Sequence, residues 1–397
     1  MFTDPKNSIT IKEGKEHKPV ILQVVPELDV PGGTERSTVE ISRALSRAGW
    51  QSIVVSSGGS MLHQTKSKSG RHIIMPVKEK NPIQLAINAN LLAKLIKAEK
   101  VDIIHARSRA PAWSAREAAK RTGCHFLTTF HGAYNTTGKL KRFYNSIMTK
   151  GELVIANSQF TADHIIDHYL IDQDKLRIIP RGVDVSIYNP TQVAHERVIQ
   201  LTGKWRLPDG KLVVLLPGRL TPWKGHSILL DAITYLKRND YVVVLVGDEQ
   251  GRNNYRRKLE QQVEQNGLGG IVRFGGSCRD MPAAYMSSDV IVSPSIKPEA
   301  FGRVVIEGQA MGRLIVAFNH GGAKETIIDG ETGFLVEPGN ALELSQAIGK
   351  ALDLSAEKRS DISKRAIQHI NRNFTLEKMC NETLSVYEEL IDRGNCG

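Results

Sequence analysis

The stretch "KLVVLLPGRLTPWKGH" (211–226) decides the fold. Its apolar start, closed by Pro217 and Gly218, reads as a short buried strand ending in a turn. Two cations, Arg219 and Lys224, follow, and Gly225 leads into a helical pattern near 226–238. A strand apolar on both faces belongs to a parallel sheet covered by helices. Outward from it the pattern repeats: "YVVVLVGD" (241–248), a charged helix near 252–266, "IVRFGG" (271–276), "DVIVSPS" (289–295), "RLIVAFN" (313–319) and "TGFLVEP" (332–338).

The same alternation occupies the first half. "PVILQVV" (19–25) is closed by "PGGTE" (31–35), and a helical pattern runs through "RSTVEISRALSRAGW". Then come "QSIVVSS" (51–57), a helix over 82–100, "VDIIHARS" (101–108), "HFLTTFHG" (125–132) and "ELVIANS" (152–158). A chain of 397 residues exceeds one ordinary core, so two domains are expected. The fold class is α/β, with two Rossmann-like doubly wound domains. The spacing predicts a polar tail over 1–18, a first domain over 19–190 and a second over 191–373. An amphipathic helix over 374–397 is expected to cross back onto the first domain. The segment "SIYNPTQVAHERVIQ" (186–200) reads as the connecting stretch.

Composition narrows the function classes. Hydrophobic residues at 41% and charged residues at 24% describe a globular chain. No apolar run approaches the roughly 20 residues that span a bilayer, and the polar first 18 residues lack a secretory h-region. Cys124, Cys278, Cys380 and Cys396 lie far apart without metal-ligand spacing, as thiols in a reducing cytosol would. A net charge of +11 favours anionic partners. No zinc finger or aromatic–basic RNA-binding signature accompanies it, so nucleic acid is not expected as a partner.

Ligands of open α/β sheets bind beyond the carboxyl ends of the strands, and two such domains place a site in the cleft between them. The candidate residues follow strands. Arg219 offers a planar fork of donors and Lys224 a compact charge, a pair suited to a diphosphate. In "SIKPEAFGRVVIEGQAMG" (295–312), Glu299 precedes a helix start at Arg303 and Glu307 lies about one turn inside. Carboxylates beside apolar residues are costly unless something binds them, and each can accept hydrogen bonds from vicinal hydroxyls of a sugar. The competing readings are two solvated cations, one helix-dipole partner and one surface charge.

The Glu-x7-Glu pair, Glu299 and Glu307, together with Arg219, Lys224, "PGGTE" and "TTFHG", resembles the retaining glycosyltransferases of family 4, which have the GT-B fold. The resemblance covers about residues 19–390. It implies a nucleotide-activated sugar, GDP- or UDP-linked, as co-substrate, with no bound cofactor and no metal. It implies that Glu299 and His131 contact donor-sugar hydroxyls, Glu307 the ribose, and Arg219 and Lys224 the departing diphosphate. Gly32, Gly33, Phe301, Gly302 and Arg303 would bring backbone close to the donor, with Gly321 and Gly322 flanking the sugar. Arg273 and Ser277 are candidates near the nucleobase.

Arg107 and Arg109, after the strand "VDIIHARS", are the acceptor candidates. Lys139, Lys141, Arg142 and Lys150, mixed with apolar residues in "TTGKLKRFYNSIMTK" (136–150), can mark a surface for anionic lipid headgroups. The expected partners are therefore a nucleotide sugar, an anionic, lipid-linked glycan acceptor and the inner membrane face. "PEAFGRVVIEGQAMG" with "HGGAKET" most resembles bacterial enzymes of lipopolysaccharide core assembly, including mannosyltransferases. The alternatives are a transferase with another small or lipid acceptor, an epimerase or phosphorylase of related fold, and a non-enzymatic nucleotide binder.

Overall fold

The apolar runs form two parallel sheets with helices between most successive strands. The structure, a computed structural model, describes residues 18–29, 32–65, 69–249, 251 and 253–394. Most of the expected N-terminal tail, Pro31 of the glycine loop and Cys396 lie outside these residues. The chain divides into two units, one reaching Pro180 and resuming at Glu377, the other spanning Arg181–Leu376. The boundary expected at 190/191 lies ten residues inside the second unit, because Val183 pairs there with Thr375.

In the first unit the elements are β1 (Val20–Val24), α1 (Gly33–Arg47), β2 (Gln51–Ser56), β3 (Gly70–Ile74), α2 (Pro82–Glu99), β4 (Ile103–Ala106), α3 (Arg109–Thr122), β5 (His125–Phe130), α4 (Lys139–Ser146), β6 (Leu153–Ala156), α5 (Gln159–His168) and β7 (Leu176–Ile178). Their sheet order is β3-β2-β1-β4-β5-β6-β7, all parallel. Leu22 at the centre pairs with Ile53 on one side and Ile104 on the other, and all three are buried. β3 and β7 are edge strands only partly buried, so neither shows the apolar run that marks the central strands.

The second unit holds α6 (His195–Trp205), β8 (Leu212–Pro217), α7 (His226–Tyr235), β9 (Tyr241–Val246), α8 (Asn253–Gln265), β10 (Val272–Gly276), α9 (Met281–Met286), β11 (Val290–Ser293), α10 (Arg303–Ala310), β12 (Leu314–Phe318), α11 (Ala323–Thr326), β13 (Phe334–Val336), α12 (Ala341–Leu352) and α13 (Ala356–Asn373). The order β10-β9-β8-β11-β12-β13 is the doubly wound 3-2-1-4-5-6 arrangement. In the stretch read as a connection, α6 forms instead. Its Val198, Leu201 and Trp205 recur at helical spacing and pack on the second core.

The last helix, α14 (Leu376–Gly394), belongs to the first unit, as the amphipathic tail implied. Its fully buried Tyr387 puts its hydroxyl 2.8 Å from Nδ1 of His105, whose Nε2 lies 2.7 Å from the Thr129 hydroxyl. The Arg177 fork donates to both carboxylate oxygens of Glu389 at 3.0 and 2.5 Å. A buried polar chain and a bidentate ion pair thus fasten the helix to β4, β5 and β7. No helix among the described residues is long and apolar enough to cross a membrane.

Candidate active site

In each sheet the order reverses beside the first strand: β1 next to β4, and β8 next to β11. Loops leaving such a pair diverge to opposite faces and open a crevice at the carboxyl ends. Arg219 and Lys224 follow β8, and Glu299 follows β11. Gly32 and Gly33 follow β1, and Arg107 and Arg109 follow β4.

In the second unit backbone contacts lock the two switch-point loops together. A 3-10 turn over Pro222–Lys224 ends at Gly225, which has a φ of +77°. A Cβ on Gly225 would stand 1.8 Å from the carbonyl oxygen of Pro294, so only glycine lets the loops touch. Next to it, the Ile296 N–H donates to the Trp223 carbonyl at 2.7 Å. A third loop, after β12, closes on the same segment. The Gly322 N–H donates to the Glu299 carbonyl at 2.9 Å, and a Cβ on Gly321 would lie 2.4 Å from that carbonyl oxygen.

This clamp brings Lys224 and Glu299 together across 75 residues. Lys224 Nζ donates to Glu299 Oε1 at 2.7 Å and also sits 4.6 Å from the Trp223 ring centroid. The Ser295 hydroxyl donates to the same Oε1 at 2.5 Å. The two charged side chains are only 12% and 19% exposed. Burial works against the charge on Glu299, but Lys224, Ser295 and the nearby His320 outweigh it and hold the carboxyl below its usual range. A depressed carboxyl stays ionised at neutral pH, and its bonds are lost only as pH falls through its lowered pKa. Burial, with Lys224 beside it, depresses the imidazole of His226 to about 4, so this residue is neutral. His320 buries both ring nitrogens without a hydrogen bond among the described residues.

Glu307 lies on α10, 5% exposed, and takes the Tyr285 hydroxyl on Oε2 at 2.9 Å and Arg303 Nε near Oε1 at 3.5 Å. Phe301 is buried against Phe374, and Gly302, with a φ of +85°, turns the chain into α10. Arg219 is exposed, and its guanidinium has no side-chain partner among the described residues. Arg273 bonds back to the carbonyls of Gly269 and Val272 at the amino end of β10, away from the switch point, and Ser277 is exposed just past that strand.

In the first unit Gly32 and Gly33 open α1, and His131 follows β5 at intermediate exposure. Arg107 is 2% exposed, its fork spent on Gln23 at 2.8 Å and Ser37 at 3.0 Å. Arg109 is accessible. Its guanidinium lies 4.3 Å from the Tyr134 ring and donates to Asn145 at 2.9 Å. Sequence reasoning singled out neither Ser295, Tyr285, Trp223 nor His320. Their partners are distant or non-periodic, and no local pattern announces them.

Residues 31–187 match Glycosyltransferase Family 4, and residues 199–369 match Glycosyl transferases group 1. The crystal structure of a glycosyltransferase from Rickettsia africae ESF-5 is 40% identical, with a TM-score of 0.88, covering 94% of this chain and 99% of that one. Anabaena HepE in complex with UDP and glucose shares the fold at a TM-score of 0.81 and 24% identity, over 94% of this chain and all of the other. Among curated relatives, the D-inositol 3-phosphate glycosyltransferase of Corynebacterium glutamicum (strain R) is 26% identical over 339 residues, 80% of each chain. Two family matches spanning both sheets, and a 40%-identical structure superposing along nearly the whole length, make this chain a glycosyltransferase of family 4 with the GT-B fold.

Proposed function

We propose that the protein is a retaining, metal-independent hexosyltransferase that uses a nucleoside-diphosphate sugar. The observation that carries this reading is the buried Lys224–Glu299 pair at the β8/β11 switch point, a cation and a carboxylate held rigidly where a donor would lie. Lys224 and the exposed Arg219 neutralise charge growing on the departing diphosphate, the electrostatic contribution that usually dominates such catalysis. Backbone N–H groups from Phe301 to Arg303, at the positive end of α10, take further phosphate oxygens. Glu307 accepts ribose hydroxyls and Glu299 sugar hydroxyls. Gly32, Gly33 and His131 are further donor-contact candidates, and Ser277, just past the carboxyl end of β10, is the candidate for the base, whereas Arg273 is tied to carbonyls at the other end of that strand. The leaving phosphate takes the acceptor proton on the face it vacates, so retention requires no side-chain base.

UDP is the favoured nucleotide, because HepE is seen with UDP and glucose; GDP-linked mannose is the rival donor. A thermal-shift panel of UDP, GDP and their hexose conjugates tests the reading, since a ligand of the native state raises its stability. Lys224→Ala is expected to weaken nucleoside-diphosphate binding about 10- to 100-fold, the range of one charge-assisted hydrogen bond. Unchanged affinity would remove Lys224 from the phosphate site.

The acceptor is anionic. Arg109 is its direct contact, and buried Arg107 steadies the turn that carries it. Exposed Leu140 and Phe143 among Lys139, Lys141 and Arg142 suit docking at an anionic inner-membrane surface, as a lipopolysaccharide-core acceptor requires. The second reading is a small phosphorylated acceptor, favoured by the curated relatives named for inositol 3-phosphate. Arg109→Ala should raise the acceptor KM about tenfold or more and leave donor hydrolysis intact. An unchanged KM for both core-glycan and inositol-phosphate acceptors would rule out its role.

A further inference from the structure

Glu299 has two oxygens, and both of its donors converge on one of them. Lys224 Nζ and the Ser295 hydroxyl lie 2.7 and 2.5 Å from Oε1, while Oε2 has no partner among the described residues. Terminal carboxylate torsions are broad, so a single contact to one oxygen leaves the carboxylate plane free to turn and the second oxygen unaimed. Two donors reaching one oxygen from different residues restrict that plane and so fix the direction of the other oxygen.

We propose that Ser295 is a positioning residue that holds Oε1 of Glu299 and thereby presents Oε2 as the acceptor for a donor-sugar hydroxyl. The inference rests on the glycosyltransferase reading above and adds to it an atom-level division of labour.

The surroundings of Ser295 fit that task. The residue is 4% exposed. Its predecessor, Pro294, is pressed against Gly225, and its successor, Ile296, is hydrogen-bonded to Trp223. The hydroxyl is therefore anchored by backbone on both sides. Ser295 also differs from Lys224 in kind. An arriving diphosphate competes with Glu299 for the lysine charge, whereas a neutral hydroxyl has little to gain from a phosphate beyond an ordinary hydrogen bond. When Lys224 turns toward the phosphates, Ser295 keeps Oε1 occupied and Oε2 stays aimed at the sugar.

The test is Ser295→Ala, measured with whichever of UDP or GDP the wild-type protein binds and with the matching hexose conjugate. Affinity for the bare nucleoside diphosphate should stay within about twofold, since Ser295 does not touch that part. Turnover should fall about 10- to 100-fold, the range of a hydrogen bond to a charged group. The acid limb of the pH–rate profile should move to higher pH, because one of the contacts that depress the Glu299 carboxyl is gone. In a Glu299→Gln background the same substitution should add no further loss of sugar-dependent affinity, because both changes act through one carboxylate.

Loss of nucleoside-diphosphate affinity in step with turnover would show a merely structural role and overturn the proposal. So would an unmoved acid limb, or full additivity with Glu299→Gln. The two levels fail separately. A wild-type protein that binds no nucleoside diphosphate sinks the reading of function, while equal turnover of wild type and Ser295→Ala sinks only the role of Ser295.

Discussion

Replacing Glu299 with glutamine is expected to lower turnover at least 100-fold while leaving nucleoside-diphosphate affinity unchanged or raised. The opposite signs follow from the Lys224 contact. Lys224 is paired with Glu299 at 2.7 Å, so an arriving diphosphate must share or displace that carboxylate. The amide removes the competing charge and frees the cation for phosphate. It also removes the carboxylate proposed to accept sugar hydroxyls as charge develops, an electrostatic loss typical of 10²–10³ in rate. Steady-state kinetics beside calorimetric titration of UDP and GDP separate the two effects. Turnover within threefold of wild type would end the catalytic assignment of Glu299. A shared collapse of turnover and nucleotide affinity would point to a broken loop instead.

The second large effect is on stability. Gly225→Ala should destabilise the second unit by about 3 kcal/mol or more, a shift of roughly 6–12 °C in Tm for a unit of this size. The residue has a φ of +77°, and the added Cβ would meet the Pro294 carbonyl oxygen at 1.8 Å. That oxygen belongs to backbone leaving β11, so relief requires the two loops to part. Gly203→Ala is the control. It lies within α6, and its Cβ would meet nothing within 4 Å. Helix propensity predicts a gain of up to about 1 kcal/mol there. Calorimetry on both variants decides the matter: equal Tm values would falsify the clamp between the two loops.

Much of the architecture was legible because parallel strands are buried on both faces and therefore appear as plain apolar runs. Every central strand, from Val20–Val24 to Leu314–Phe318, was visible in this way. The edges were not. Gly70–Ile74 and Leu176–Ile178 are half wet, so their composition does not separate them from loop. The helix His195–Trp205 carried a helical repeat that its neighbours Asn189 and Pro190 disguised as linker. At the site, chain position after a strand located Lys224 and Glu299 separately. Their direct bond was not readable, since it depends on strands β8 and β11 lying side by side, and strand order is a property of the whole sheet. Ser295 was hidden for a local reason: it lies four residues from Glu299 in one irregular loop, and only the folded loop shows that its hydroxyl reaches the carboxylate. The burial of Arg107 was equally silent, because an arginine two residues short of a half-buried one looks the same in sequence.

The return of α14 to the first unit makes the second unit an insertion in the chain, entered at Arg181 and left at Leu376. The two crossings run side by side, with the Val183 N–H on the Phe374 carbonyl at 2.9 Å and the Leu376 N–H on the Val183 carbonyl at 2.8 Å. During synthesis on a ribosome the inserted unit is therefore complete first, while the half translated earlier still lacks the helix that covers His105. A premature stop before Tyr387 would spare the inserted unit and strand the other one with an open seam.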